Sequence, residues 1–191
     1  MRRVTFDIET EGAFSGPMPD PSALEVTVVG VHDSKTDTYQ TFLKEDLPKL
    51  WPLLEQADVL IGYNSDHFDI PILNKYYPGD LRKIKSIDLL KEIKQSLGRR
   101  LKLDSVAEAT LGEKKISNGL EAARWWQEGN IAKVREYCLH DVRLTKELYE
   151  YALKNKSLKY KDFDGVREIK LDTAHWELPP SSPALTHTLP F

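Results

Sequence analysis

Asp7 and Glu9 stand two residues apart in the stretch Arg3-Val-Thr-Phe-Asp-Ile-Glu9. On an extended chain such residues leave the same face, about 6–7 Å apart at Cα. Two carboxylates crowded there repel each other unless a cation sits between them. Oxygen-only ligands of this kind suit Mg²⁺ or Mn²⁺ rather than zinc. The other account of the pair is a polar strand end facing water, because isolated D-x-E motifs are common.

A second group lies in Gly62-Tyr-Asn-Ser-Asp-His-Phe-Asp-Ile-Pro-Ile-Leu73. Here an apolar run ends at Asn64, and Asp69 falls in the first turn of the next predicted helix. Asp66 as N-cap and Asp69 as an N3 acid would form a capping-box-like pair worth about 1 kcal/mol without any catalysis. That account leaves Asn64 and Phe68 unexplained. The third group is Tyr137-Cys-Leu-His-Asp141. Residues i and i+4 of a helix share one face, so Tyr137 and Asp141 can point at a common site. A surface tyrosine beside a solvated acid explains that pair as well.

The elements that must position these groups are legible in part. Residues 3–9 alternate, with Val4, Phe6 and Ile8 on one face and Thr5, Asp7 and Glu9 on the other, the period of a strand. Residues 10–23, with two glycines and three prolines, predict a long loop. Strands at 24–32 and 38–43 around a turn at 33–37 complete an antiparallel meander. A helix at 46–56, a buried strand at 59–63, a helix at 67–77 and a short strand at 84–87 follow. Residues 104–154 are mainly helical, and in the run 130–154 Ile131, Val134, Cys138, Leu148 and Ala152 mark a core stripe. Strands first and then alternating helix and strand predict an α/β mixed sheet flanked by helices. A small hairpin is expected within 158–173 around Asp164-Gly165, then little regular structure across the Pro-, Ser- and Thr-rich residues 175–191.

Composition bounds the rest. The 191 residues carry 27 Lys+Arg against 30 Asp+Glu, a formal net charge of −3, which excludes a polybasic protein that holds nucleic acid by bulk charge. With 40% apolar and 30% charged residues, the chain has the balance of a globular domain. Cys138 is the only cysteine, so no intramolecular disulfide forms, and no Cys/His cluster offers a zinc site. No run approaches the roughly 18 apolar residues of a spanning helix, and Met1-Arg2-Arg3 leads straight into the first strand without an apolar signal region. A cytoplasmic location with no membrane partner is the expectation.

Taken in order, the three groups resemble motifs I, II and III of the DEDD superfamily of 3′–5′ exonucleases, which share a ribonuclease-H-like fold. Phe6-Asp-Ile-Glu-Thr10 matches the D-x-E of motif I, Asn64 to Asp69 is similar to N-x-x-x-F-D, and Tyr137 to Asp141 matches the Y-x-x-x-D of the tyrosine subtype. The histidine subtype needs His five residues before the last Asp, where this chain has Glu136, so His140 does not fill that role. The wording is closest to the proofreading domains of family B DNA polymerases and their free-standing relatives, over about residues 3–153. The resemblance implies a ribonuclease-H-like domain at 1–157, antiparallel meander then parallel strands, and a C-terminal extension at 158–191.

By that resemblance Asp7 bridges two divalent ions, Mg²⁺ or Mn²⁺, with Glu9 and Asp141 completing the site for an attacking water. Asp69 holds the second ion. Tyr137, with a reference pKa of about 10, orients that water rather than deprotonating it. Thr10 lies near the terminal nucleotide, Asn64 positions the loop or touches the sugar-phosphate, and Phe68 stacks on a terminal base or else packs in the core.

Residues 82–102 carry eight basic side chains against Asp88 and Glu92, a patch able to follow a single strand's phosphates or simply to solvate a helix face. Arg99, Arg100 and Lys102 are the candidates for groove contact. Trp125 and Trp126 point about 100° apart on a helix, so partial burial of both is expected, with one as an alternative stacking surface. Thr188-Leu-Pro-Phe191 is faintly similar to the Pro-Phe end of bacterial single-stranded-DNA-binding protein tails, a candidate docking peptide lacking the acidic stretch before it. The leading expectation is a metal-dependent exonuclease on single-stranded or frayed DNA. An exoribonuclease and a non-catalytic nucleic-acid-binding module are the alternatives.

Overall fold

The computed structural model describes residues 1–12, 23–113 and 119–179. Most of the expected loop after the first strand, and the candidate docking peptide at 188–191, lie outside the described residues. No helix among the described residues is long and apolar enough to cross a membrane.

A five-stranded sheet is ordered β3-β2-β1-β4-β5. It comprises β1 (Arg3–Glu11), β2 (Glu25–Asp33), β3 (Thr38–Leu43), β4 (Val59–Gly62) and β5 (Ser86–Asp88). The first three form the antiparallel meander, while β4 runs parallel to β1 and β5 parallel to β4. This is the mixed α/β sheet expected from the strand and helix order, with the meander-then-parallel arrangement that the resemblance implies.

Both faces of the sheet are covered. Val4, Phe6 and Ile8 of β1 pack with α1 (Leu47–Glu55) and α2 (Asp69–Leu73). The opposite face meets α6 (Ile131–Asn155), whose Val134 and Cys138 pack on Val28 of β2. Coverage on both sides is why Thr5, on the polar side of the alternation, is also buried. The helix approaches closely because β2 has a glycine beneath it. A Cβ on Gly30 would lie 2.9 Å from Cys138 Sγ and 3.1 Å from Val142 Cγ2. Ala in that place would push the helix outward.

Three expectations shift. β1 runs on to Glu11, with Thr10 opposite Val26 and Glu11 opposite Glu25 beyond an irregularity after Glu9. The helix expected at 67–77 holds only for Asp69–Leu73. Its end is set by Asn74, whose side chain turns away to accept from the Leu81 N–H at 2.9 Å and donate to Asp80 at 3.1 Å. The capping-box-like pair is absent: Phe68 occupies the N-cap with no side-chain cap, and Asp66 bonds Ser86 and Lys91 instead.

Downstream, α3 (Leu89–Leu97), α4 (Leu103–Leu111), α5 (Gly119–Gln127) and α6 follow. Asp88 caps α3, accepting from the N–H groups of Leu90 and Lys91, and Asn130 caps α6 through the Lys133 N–H. The expected hairpin is β6 (Ser157–Asp162) and β7 (Gly165–Lys170). It does not stand apart from the preceding domain: Leu158, Tyr160, Ile169 and Trp176 share one core cluster with α3, α4 and the second half of α6. Trp176 is 0% exposed and stacks on Tyr149 with ring centroids 5.2 Å apart. Residues 171–178 form no helix or strand, yet they are fixed. Lys85 Nζ donates to the carbonyls of His175, Trp176 and Leu178 at 2.7–2.9 Å.

Candidate active site

Strand order turns about β1, and the carboxyl ends of the parallel strands β1 and β4 open on one edge of the sheet. In open α/β sheets ligands bind at such a point. Asp7 and Glu9 approach that end of β1 on the face toward α6, and a ligand oxygen from each lies within 4.8 Å of the other and of Cys138 Sγ. Cys138 supports Asp7 from behind, its thiol 3.8 Å from Asp7 Oδ2 and 3.5 Å from the Asp7 carbonyl oxygen.

Asp69 arrives from the N-terminus of α2 and is 4% exposed. Its carboxylate accepts from the backbone N–H groups of Ile8 and of Asp69 itself. That bond answers a local need, because the β1–β4 pairing ends at Thr5 opposite Ile61 and leaves the next part of β1 without a parallel neighbour. Asp141 sits on α6 one turn beyond Tyr137, with His140 Nδ1 3.5 Å from its Oδ1.

The electrostatics tie the four acids together. Burial pushes the Asp7 carboxyl well above the ordinary range, and the charges of Asp69, Asp141 and Glu9 push it further. Asp69 is pushed up to about 7, chiefly by burial, while its backbone bonds pull the other way. Four acids, two of which resist ionising, Asp7 through burial and its acid neighbours and Asp69 through burial and the charge of Asp88, form an all-oxygen donor set that one or more divalent cations would neutralise. These residues fit Mg²⁺ or Mn²⁺. Asp69 and Asp141 lie outside the tight Asp7–Glu9–Cys138 group.

The Tyr137 hydroxyl hydrogen-bonds to Asp141. Burial first, and then Asp141, Glu9 and Asp7, push its phenol well above the usual value, so it keeps its proton and acts as a hydrogen-bond donor at neutral pH. Its ring meets Trp125 edge to face, centroids 6.4 Å apart. Trp126 Nε1 donates to Glu11 Oε2 at 2.9 Å, fastening α5 to the end of β1. Both tryptophans are half-buried, and these contacts anchor α5.

A cleft of about 970 Å³ adjoins the acids. Glu9, Thr10, Asn64, Phe68, Arg100, Lys102 and Asp141 all line it. Arg100 donates to Asn64 Oδ1 at 2.7 Å. Arg99 departs from expectation: its guanidinium lies over the Tyr160 ring at 5.2 Å and 3.9 Å from Asp162, on the hairpin side. Gly98, at φ +76°, ends α3 in the left-handed conformation just before this pair.

Two residues of this region escape motif reading. Asp88 accepts from the N–H groups of Asn64 at 2.7 Å and Asp66 at 3.1 Å while capping α3, and so sets the loop that carries Asn64, itself at φ +69°. A strand-end acid before an apolar run is a cap signal, but nothing local names the loop it also holds. Leu120, 82% exposed on α5, lines the same cleft and carries no sequence signal.

Residues 4–153 match the family model of the RNase H superfamily. The structure is similar to that of a family B DNA polymerase from the hyperthermophilic archaeon Pyrobaculum calidifontis, with a TM-score of 0.62 and 24% identity. The match covers 80% of this chain and 24% of the polymerase chain, so the chain spans about a quarter of that protein's length. No curated protein matches. The sheet order, the acids at the end of its central strand and a family match over most of the sequence agree: the chain belongs to the RNase H superfamily.

Proposed function

We propose that the chain is a 3′–5′ exonuclease that removes nucleotides from single-stranded or frayed DNA, using two divalent cations, Mg²⁺ or Mn²⁺, held by Asp7, Glu9, Asp69 and Asp141. The observation that carries this reading is the convergence on Asp7 of three other carboxylates, beside a tyrosine hydroxyl and a cleft with basic walls. When bound, the cations supply the charge that offsets the phosphate's and make water a competent nucleophile at neutral pH.

The chain's own residues do the placing. Asp7, central among the acids, would hold the cations together with Glu9 and Asp141 from the α6 side and Asp69 from the α2 side. Tyr137 keeps its proton and orients the attacking water, with Asp141 fixing the hydroxyl. In the reaction a water oxygen bonds to phosphorus, the P–O3′ bond breaks, and the O3′ left on the shortened strand takes a proton. A nucleoside 5′-monophosphate leaves. Phe68, half-buried on the cleft wall, gives the terminal base a surface indifferent to sequence. Arg100 and Lys102 face the phosphates, and Thr10 and Asn64 face the terminal sugar.

The test is release of acid-soluble nucleotide from single-stranded DNA and RNA, with Mg²⁺, Mn²⁺ or EDTA, by the chain and its Asp7→Ala variant. Metal-dependent release from DNA that falls by about 10²–10³-fold in the variant is expected, the range for removing one preorganised electrostatic group. Faster release from RNA would overturn the DNA assignment, and no release from either would overturn the enzyme reading.

A further inference from the structure

A second groove, of about 340 Å³, adjoins the first and shares Asn64, Leu90 and Arg100 with it. Its other walls include His67 and the α3 residues Lys91 and Lys94. Three positions apart on a helix, the two lysines stand on one face, while Leu89, Leu90 and Ile93 turn to the core. The acids nearby are already engaged. Asp88 is 4% exposed, its oxygens accepting from four backbone N–H groups. Asp66 is held by Ser86 and by Lys91 at 2.8 Å. Lys94 is exposed, with no side-chain partner among the described residues. Arg100 spends one N–H on Asn64 and has others to offer at the junction of the two cavities.

We propose that this groove is the track by which the strand leaves the active cleft. Lys91 and Lys94 bind phosphodiester groups on the 5′ side of the nucleotide being removed, and Arg100 binds the one between the two cavities. The inference rests on the exonuclease reading and names where the rest of the substrate lies. A strand whose 3′ end occupies the acid-lined cleft must exit somewhere. Leu120 and Ala123 of α5 line the cleft, and Asn64 and Arg100, which also line it, are shared with the groove that carries Lys91 and Lys94. Three cations against two acids, both already hydrogen-bonded, leave this open groove with an excess of positive charge whose counterions phosphates displace.

Binding of a fluorescent single-stranded deoxyoligonucleotide, followed by anisotropy in EDTA from about 50 to 200 mM salt, tests the track, because each phosphate contact on a single strand contributes a slope of about −0.7 in log K against log salt. The Lys91→Ala/Lys94→Ala double variant should bind several-fold more weakly and show a slope shallower by about 1.4. Lys94→Glu, which leaves the Lys91–Asp66 pair in place, should weaken binding more than Lys94→Ala does. Unchanged affinity and slope in these variants, with the parent chain still binding and cleaving, would overturn the track alone. A parent chain that cleaves with metal yet binds no single strand in EDTA would overturn the track alone, and one that neither binds nor cleaves would overturn the track and the exonuclease reading together.

Discussion

At the scale of single residues, Asp69 illustrates how a site for cations shapes the protein without them. Its carboxyl is buried and pushed up to about 7, so the folded metal-free protein holds a proton that the unfolded chain releases near pH 4. Its folded pKa is the higher one, so stability is fullest below pH 4 and is lost as pH rises toward and past about 7. Asp69→Asn removes that charge while keeping an oxygen for the Ile8 N–H. In EDTA the variant's melting temperature should match the parent's at pH 4 and exceed it at pH 8, by on the order of 2 kcal/mol of stability. Mg²⁺ or Mn²⁺ should raise the parent at pH 8 by more than it raises the variant, which keeps Asp7, Glu9 and Asp141. A difference independent of pH would show that burial does not push Asp69 up in this way.

Residue-scale legibility followed distance along the chain. Asp7 with Glu9, and Tyr137 with Asp141, were readable because strand and helix periods bring each pair to one face. Asp88 was not, because the loop it holds lies 22 and 24 residues upstream. Arg99 and Arg100 are neighbours with opposite surroundings, Arg99 lying over a tyrosine on a distant hairpin.

At the scale of elements, the site depends on how closely α6 lies on β2, since the helix carries Tyr137, Cys138 and Asp141 to a strand that carries Asp7 and Glu9. Gly30 allows that approach. Gly30→Ala should cost about 1–3 kcal/mol, as overpacking does, and should lower kcat through displaced side chains more than it raises KM. Denaturant unfolding alongside steady-state kinetics checks both. A variant with parental kcat would mean that the close contact serves packing alone. The five strands and the long helix were legible because their periods are strong. The extension of β1 to Glu11 was hidden by its polar end, and the brevity of α2 by an Asn74 bond reaching seven residues ahead.

At the scale of the whole molecule, the residues after α6 complete the core of the domain that precedes them. Composition alone made 175–191 look loose, because prolines and hydroxylated residues outnumber apolar ones there. Trp176 is the exception, stacked on Tyr149, and Lys85 gathers the carbonyls around it. Trp176→Ala should destabilise the fold by about 3–5 kcal/mol, the range for deleting a buried aromatic ring. A chemical denaturation midpoint equal to the parent's would contradict that placement. The same scale resolves the net charge of −3: the acids that make the chain look averse to a polyanion are partly those crowded around Asp7, while the basic residues line the cleft and the groove beside it.

The central claim is directional removal of single nucleotides from a 3′ end by this cluster of acids. It is tested most directly by following one single-stranded DNA carrying a label at its 5′ end and, in a parallel reaction, at its 3′ end. With Mg²⁺ or Mn²⁺ the 5′ label should pass down a ladder in one-nucleotide steps, while the 3′ label appears at once as mononucleotide. Asp7→Ala should leave both strands whole. Internal fragments as first products, a 5′ label released first, or equal activity in EDTA would contradict the account.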